Sequence, residues 1–249
     1  MNLLKRTIFI TGGTSGIGLG LAEAFLKRKN RVIVCGRNKE KAARVREKYP
    51  DIAVLLCDVS DVKQRERLAP EVLRRFPDLD ILVNNAGIQR YIDLKKGYEE
   101  LKSGEDEIAV NFTAMVEITA LFIGHLLKKP SAAIINVSSG LGFMPMPYTP
   151  VYSATKAAVH TYSLVLRRQL IDTPVAVYEV VPPMVDTDLN KAGRDAARAG
   201  FRGISIAEYI PAVIKGLEDD VDTIFYGDAE KVMTEPRSKT EKRLFDPSW

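Results

Sequence analysis

Short apolar runs recur along the chain, separated by longer stretches whose apolar residues return at helical spacing. The runs of strand length are Thr7–Ile10, Arg31–Cys35, Ala53–Cys57, Ile81–Asn84, Ala133–Val137, Val175–Val181 and Thr223–Tyr226. Between them, stretches such as Leu19–Arg28 and Lys39–Tyr49 carry the helical period. This alternation predicts an α/β fold built on a seven-stranded parallel sheet with helices on both faces. No internal repeat or low-complexity linker interrupts it, so a single domain is expected over residues 1–249. Two segments are less regular. Asp188–Gly203, rich in Ala, Gly and Arg, falls between the sixth strand and a later helix, and Glu235–Trp249 is a mixed-charge tail expected to fray unless it docks on a partner subunit.

Composition narrows the class. The chain has 249 residues, 46% hydrophobic and 27% charged, which suits one large buried sheet and excludes a largely disordered chain. Lys and Arg number 36 against 32 Asp and Glu, a formal charge of +4 that gives no reason to expect nucleic acid as a partner. Val116–Leu127 is short for a membrane span and carries Glu117 and His125, so no membrane association is expected. Met1-Asn2-Leu3-Leu4-Lys5-Arg6 leads straight into the first strand without a small-residue cleavage site, so no signal peptide is read. Cys35 and Cys57 each end an apolar run and lack metal-ligand spacing, as packed reduced thiols do. The Asn-x-Ser/Thr matches at Asn111 and Asn136 then count as chance, and the cytoplasm is the expected compartment.

The first chemical signal is Thr11-Gly12-Gly13-Thr14-Ser15-Gly16-Ile17-Gly18, between the first strand and the first helix. Glycines there allow positive φ and bring backbone N–H groups, at the positive end of a helix dipole, close to a diphosphate. A glycine-rich match alone also serves turn geometry, but its place in an α/β chain makes nucleotide binding the stronger reading and specifies a doubly wound, Rossmann-type sheet. The second strand ends Gly36-Arg37-Asn38, where an acidic residue would accept hydrogen bonds from the adenosine ribose of NAD. Arg37 instead suits a 2′-phosphate, which favours NADP(H) and leaves NAD(H) as the alternative. The competing reading of Arg37 is an exposed loop residue beside Lys39 and Lys41.

A second signal is Tyr152-Ser153-Ala154-Thr155-Lys156, which puts a phenol and an ammonium on one helical face. A free phenol, with a pKa of about 10, is a poor base near neutrality, and a neighbouring ammonium favours its phenolate. Such pairs are common on surface helices and usually idle, so the context decides. Ser139 ends the fifth strand thirteen residues before Tyr152, with Ser138 beside it as a loop-satisfying competitor. Asn111 stands inside the helical run Glu107–Leu127, where Asn is a poor helix former. His125 and His160 read as satisfied helix-face residues, and no carboxylate–histidine cluster suggests a metal.

Taken together, Thr-Gly-x-x-x-Gly-x-Gly, Asn84-Asn85-Ala86-Gly87, Ser139 and Tyr152-x-x-x-Lys156 resemble the short-chain dehydrogenase/reductase family, from Thr7 to about Tyr226. The resemblance implies hydride transfer between a nicotinamide and a small-molecule carbonyl or secondary alcohol. Ser139 and Tyr152 would hold the substrate oxygen, and Tyr152 would exchange the proton. Lys156 would lower the phenol pKa and bind the ribose, while Asn111 would hold a relay water. For the cofactor it implies Gly12, Thr14, Ser15, Gly16, Ile17 and Gly18 at the diphosphate, Asp58 with Val59 at the adenine, and Asn85, Ala86 and Gly87 beneath the dinucleotide. Pro182, Val185 and Thr187 match the family's loop over the nicotinamide, with Pro183 in place of its glycine. Ser15 stands where NADP-preferring members often carry a basic residue. Asp188–Gly203 matches the substrate lid, and its Lys191, Arg194, Arg198 and Arg202 suggest an anionic or polar substrate; an exposed basic helix is the competing reading. A homodimer or homotetramer through Glu107–Leu127 and Tyr152–Leu170 is implied as well. A looser second resemblance, carried by Gly36-Arg37-Asn38, Ile88-Gln89 and Pro182-Pro183-Met184-Val185-Asp186-Thr187, points to a bacterial branch encoded beside lipoteichoic-acid D-alanylation genes. The rival from another class is a catalytically silent NADP(H)-binding sensor or scaffold, which has no need of all four residues Asn111, Ser139, Tyr152 and Lys156.

Overall fold

The computed structural model describes residues 1–189, 203–227, 230, 231, 235, 236, 238 and 239. Seven strands, β1 (Thr7–Thr11), β2 (Arg31–Gly36), β3 (Ile52–Leu56), β4 (Ile81–Asn84), β5 (Ala132–Val137), β6 (Val175–Val181) and β7 (Thr223–Phe225), match the expected runs to within one residue. They form one parallel sheet in the order β3-β2-β1-β4-β5-β6-β7. The chain connects outward from β1 in both directions, so a crevice opens where β1 meets β4, at the carboxyl ends of the strands.

The described α-helices are α1 (Gly16–Lys27), α2 (Lys39–Lys48), α3 (Val62–Arg75), α4 (Tyr98–Lys102), α5 (Ala114–Leu126), α6 (Pro150–Gln169) and α7 (Ile206–Glu218). Successive strand residues face opposite sides, and both sides are apolar. Ile8, Ile10, Val34 and Val83 pack with Leu21 and Phe25 of α1 and Val213 of α7. Phe9, Ile33, Leu82 and Ile134 pack on the other face with Val72 of α3, Ile118 and Phe122 of α5 and Leu166 of α6. Burial on both faces is why the strand runs are continuous in apolar residues rather than alternating.

The cysteines are free and buried, and Asn111 and Asn136 are buried too, which hides both sequons inside the fold. Counted from Ala109, the helical run to Leu126 has the length and apolarity of a membrane span, more than Val116–Leu127 suggested. Here its Met115, Ile118, Phe122 and Leu126 are buried in the fold. Most of the expected lid, with Lys191, Arg194, Arg198 and Arg202, lies outside the described residues, as does most of the 235–249 tail.

Candidate active site

A cleft of about 1320 Å³ crosses the carboxyl ends of the central strands. At one end lies the glycine-rich turn. Gly12 and Gly16 have φ of +65° and +58°, a region that side-chain-bearing residues rarely adopt. Gly18 is required by proximity instead: a Cβ there would stand 2.4 Å from Asn85 Nδ2 and 2.5 Å from the Gly12 carbonyl oxygen. Asn85 Nδ2 donates to the Thr11 and Gly12 carbonyls at 2.9 and 3.2 Å, and the Thr11 hydroxyl accepts from the Asn85 and Ala86 N–H groups. The β4 motif thus ties down the turn that follows β1. Asn38, Asp61 and Ser205 cap their helices with side-chain oxygens, whereas Ser15 makes no side-chain cap bond at the start of α1. The first N–H groups of α1 are left for the cleft, which Thr14, Ser15, Gly16 and Ile17 line.

The end of β2 departs from a plain loop. A Cβ on Gly36 would lie 2.4 Å from Thr14 Oγ1, so packing excludes an acidic side chain at that position. Arg37 Nη1 lies 2.5 Å from Glu105 Oε1 and 3.6 Å from Asp58 Oδ2, and the bond to Glu105 above all strengthens its hold on its proton. Asn38 spends its side chain on α2, accepting from the Lys41 N–H at 2.7 Å. Asp58 accepts from the N–H and hydroxyl of Ser60 at 2.9 and 2.7 Å. Burial pushes Asp58 up, but these bonds and Arg37 outweigh it and hold the carboxyl below its usual range. Asp61, not Asp58, caps α3. Val59 and Gly87 also line the cleft.

At the other end, Pro150 opens α6, and Tyr152 and Lys156 point one turn apart from its buried face. Lys156 Nζ lies 5.6 Å from the Tyr152 ring centre and donates to the Val137 carbonyl at 2.8 Å. Burial pulls the Lys156 ammonium down to about 8, against the opposing charge of Glu179. Burial pushes the Tyr152 phenol up to about 12; a hydrogen bond with Ser139 works against the rise and the Glu107 charge adds to it. Burial therefore dominates at both groups, and the expected lowering of the phenol by Lys156 is not seen.

Ser139 accepts from the Leu141 N–H at 3.2 Å and lies within hydrogen-bond reach of Tyr152. Ser138 donates to Glu179 Oε1 at 2.5 Å, so its hydroxyl is committed elsewhere. Asn111 sits in a wide helical turn, Ala109–Thr113, of a kind frequent at functional sites. Its Oδ1 accepts from the Ile88 N–H at 2.8 Å, and its Nδ2 donates to the Ile88 carbonyl and to Thr155 Oγ1. A Cβ on Gly87 would lie 3.4 Å from Asn111 Oδ1 and 3.6 Å from Lys156 Nζ, so both polar heads converge beneath Gly87. The loop after β6 closes one side: the Pro182 carbonyl accepts from the Gly140 N–H, Val185 pairs with Ile204, and Thr187 approaches Gly16. Pro183 lines the cleft, and no peptide bond among the described residues is cis.

Both histidines are satisfied, His125 by the Leu79 carbonyl at 2.9 Å and His160 by Glu179 Oε2 at 2.8 Å. Among the described residues, nothing groups three metal-ligating side chains. Sequence reasoning missed Glu105 and Glu179. A charge inside the apolar strand Val175–Val181 could have flagged Glu179, whereas nothing in the sequence joins Glu105 to Arg37. It also missed the apolar wall of Leu141, Met144, Met146, Tyr91 and Tyr148.

The chain is similar to known proteins in sequence and in fold. The sequence model of the family described as short chain dehydrogenase matches residues 6–198. An uncharacterized oxidoreductase, DltE, from Bacillus subtilis (strain 168) is 47% identical over 246 residues, covering 99% of this chain and 97% of its own. A short chain dehydrogenase from Burkholderia cenocepacia J2315, solved in complex with NADP, superimposes with a TM-score of 0.83 at 28% identity, covering 99% of this chain and 100% of its own. A short chain dehydrogenase/reductase from Burkholderia phymatum, solved with NAD, gives the same TM-score at 19% identity, covering 99% and 98%, a likeness of fold.

Proposed function

The chain belongs to the short chain dehydrogenase family, and we propose that it catalyses hydride transfer between NADP(H), with NAD(H) as the alternative, and a small-molecule carbonyl or secondary alcohol. The observation that carries this reading is one cleft with a glycine-rich turn, an open helix N-terminus and Arg37 at one end, and Ser139, Tyr152 and Lys156 at the other, with Asn111 buried behind them against Thr155. These residues fit a dinucleotide. The uncapped start of α1 suits the diphosphate, Arg37 a 2′-phosphate, and Asp58 with Val59 the adenine. Asn85, Ala86 and Gly87 would lie beneath the dinucleotide, and Pro182, Val185 and Thr187 would meet the carboxamide. The bound nicotinamide supplies or accepts the hydride.

In this reading the hydroxyls of Ser139 and Tyr152 hold the substrate oxygen. Tyr152, held protonated by burial, gives its proton to that oxygen as negative charge develops there, and takes a proton back in oxidation. Lys156 stabilises the phenolate left behind and offers its ammonium to ribose hydroxyls. Asn111 braces Thr155 and the Ile88 backbone, and would hold the relay water that returns a proton. Exposed Leu121 on α5 and Leu164 and Val165 on α6 support assembly as a homodimer or homotetramer.

The test is consumption of NADPH and NADH against a panel of carbonyl compounds, with Tyr152→Phe as control. The reading expects turnover by the wild type that Tyr152→Phe lowers by about a hundredfold or more. Tight cofactor binding with no turnover of any substrate would instead establish a silent binding protein.

A further inference from the structure

Arg37 is claimed from inside the protein before any nucleotide arrives. Its guanidinium bridges to Glu105, a residue from the opposite wall of the cleft, while Asp58 approaches from below. The Glu105 carboxylate is set there by a built turn. Arg90 Nη1 donates to the carbonyls of Leu101 and Glu105 at 3.1 and 3.2 Å, and Nη2 donates to the Glu100 carbonyl at 3.0 Å and reaches Ser103 Oγ at 3.3 Å. Its N–H donates to Glu107 Oε1 at 2.9 Å. Gly104 makes room, since a Cβ there would lie 2.7 Å from Arg90 Nε. Asp106 caps the next helical turn, accepting from the N–H groups of Ile108 and Ala109. So braced a turn fixes the backbone at Glu105, whose carboxylate reaches Arg37 Nη1. Lys41, the neighbouring cation on α2, meets Asp188 at 3.0 Å, so a second carboxylate stands at this end of the cleft.

We propose that Glu105 is the residue that sets discrimination between NADP(H) and NAD(H): its carboxylate already engages Arg37 Nη1, and a 2′-phosphate must share that guanidinium with it or displace it. This inference rests on the dinucleotide reading of the cleft. The physical basis is competition between anions for one planar donor set. A guanidinium flanked by two carboxylates carries net negative charge around it, and a dianion brought beside Glu105 meets repulsion that a neutral ribose hydroxyl does not. At a half-exposed site, one charge at phosphate distance from a dianion is worth about tenfold in affinity, less at high salt. Arg37 thus attracts the 2′-phosphate, Glu105 opposes it, and the balance leaves both cofactors usable.

Calorimetric titration with adenosine 2′,5′-bisphosphate and 5′-AMP, which differ by the 2′-phosphate alone, tests this without any turnover. Glu105→Gln keeps the shape and removes the charge. It is expected to tighten the bisphosphate about tenfold and leave 5′-AMP within about twofold, with the gain shrinking as salt rises. Glu105→Ala should do the same. In an Arg37→Ala background the gain should shrink, because the shared guanidinium is gone and only the repulsion between Glu105 and the phosphate is left. A bisphosphate-to-AMP ratio unchanged by both Glu105 variants, or a gain undiminished without Arg37, overturns the proposal while leaving the dinucleotide reading intact. Failure of the wild type and every variant to bind either nucleotide overturns both.

Discussion

Burial sets the ionisable residues at the reactive end against their ordinary behaviour. Tyr152, pushed up to about 12, stays protonated across the working range and is ready as an acid. Lys156, pulled down to about 8, loses its charge just above neutrality. Carbonyl reduction is therefore expected to fall as pH rises through about 8, read from the pH profile of kcat/KM. Stability runs the other way. The unfolded lysine titrates near about 10.4, so between about 8 and 10.4 the unfolded chain holds more protons than the folded one. The cost of burying the charge is full below pH 8 and fades as pH rises toward 10.4. Lys156→Met is expected to raise stability by roughly 1–2 kcal/mol at pH 7, after allowing for the lost bond to the Val137 carbonyl, and to give no gain near pH 10. Denaturant unfolding at the two pH values checks this. The Tyr–Lys spacing was legible in the sequence because a four-residue interval fixes a helical face. The direction of the tyrosine shift was not, because it depends on burial and on Glu107. Glu105 was invisible for a related reason: its pairing with Arg37 needs the fold to bring two distant loops across one cleft.

At the scale of elements, the turn between β1 and α1 and the end of β4 work as one unit. Asn85 reaches back to the Thr11 and Gly12 carbonyls, and Gly18 is the residue whose missing side chain lets it in. Gly18→Ala places a methyl against both Asn85 Nδ2 and backbone. It is expected to cost about 2–3 kcal/mol and to weaken dinucleotide binding together with stability, measured by unfolding and by titration with NADPH. Gly87→Ala meets nothing closer than 3.4 Å and should be milder. Strand limits were readable to within a residue because strands buried on both faces cannot hide polar residues without partners. Glu179 in β6 keeps to that rule through Ser138 and His160, which is why His160, expected to be merely a satisfied helix-face residue, has a buried carboxylate as its partner. Pro183 stands where the family pattern has glycine; it offers no N–H and fixes φ in the loop after β6. That loop nevertheless reaches Ile204 and Gly16, because the bonds that anchor it come from Pro182, Met184 and Asp186.

For the whole molecule, the order β3-β2-β1-β4-β5-β6-β7 places the glycine-rich turn, the Asn-Asn-Ala-Gly end and Ser139 side by side at one edge of the sheet. Residues far apart in the chain share a cleft because parallel strands end together, so the order of motifs was enough to foresee the architecture. The second wall was not foreseeable. Its contacts, Arg90 to Glu105 and Val185 to Ile204, run between loops whose sequence carries no period. In the proposed function this cleft moves hydride from a bound nicotinamide to a carbonyl carbon with Tyr152 as the proton donor. The most direct measurement uses NADPH or NADH deuterated at the transferring carbon, with mass analysis of the alcohol formed from a carbonyl panel. Deuterium on the new carbinol carbon with the wild type, and loss of that product with Tyr152→Phe while cofactor binding persists, is the expected result. Full cofactor binding by the wild type with no deuterium in any product, or equal transfer by Tyr152→Phe, would contradict the account.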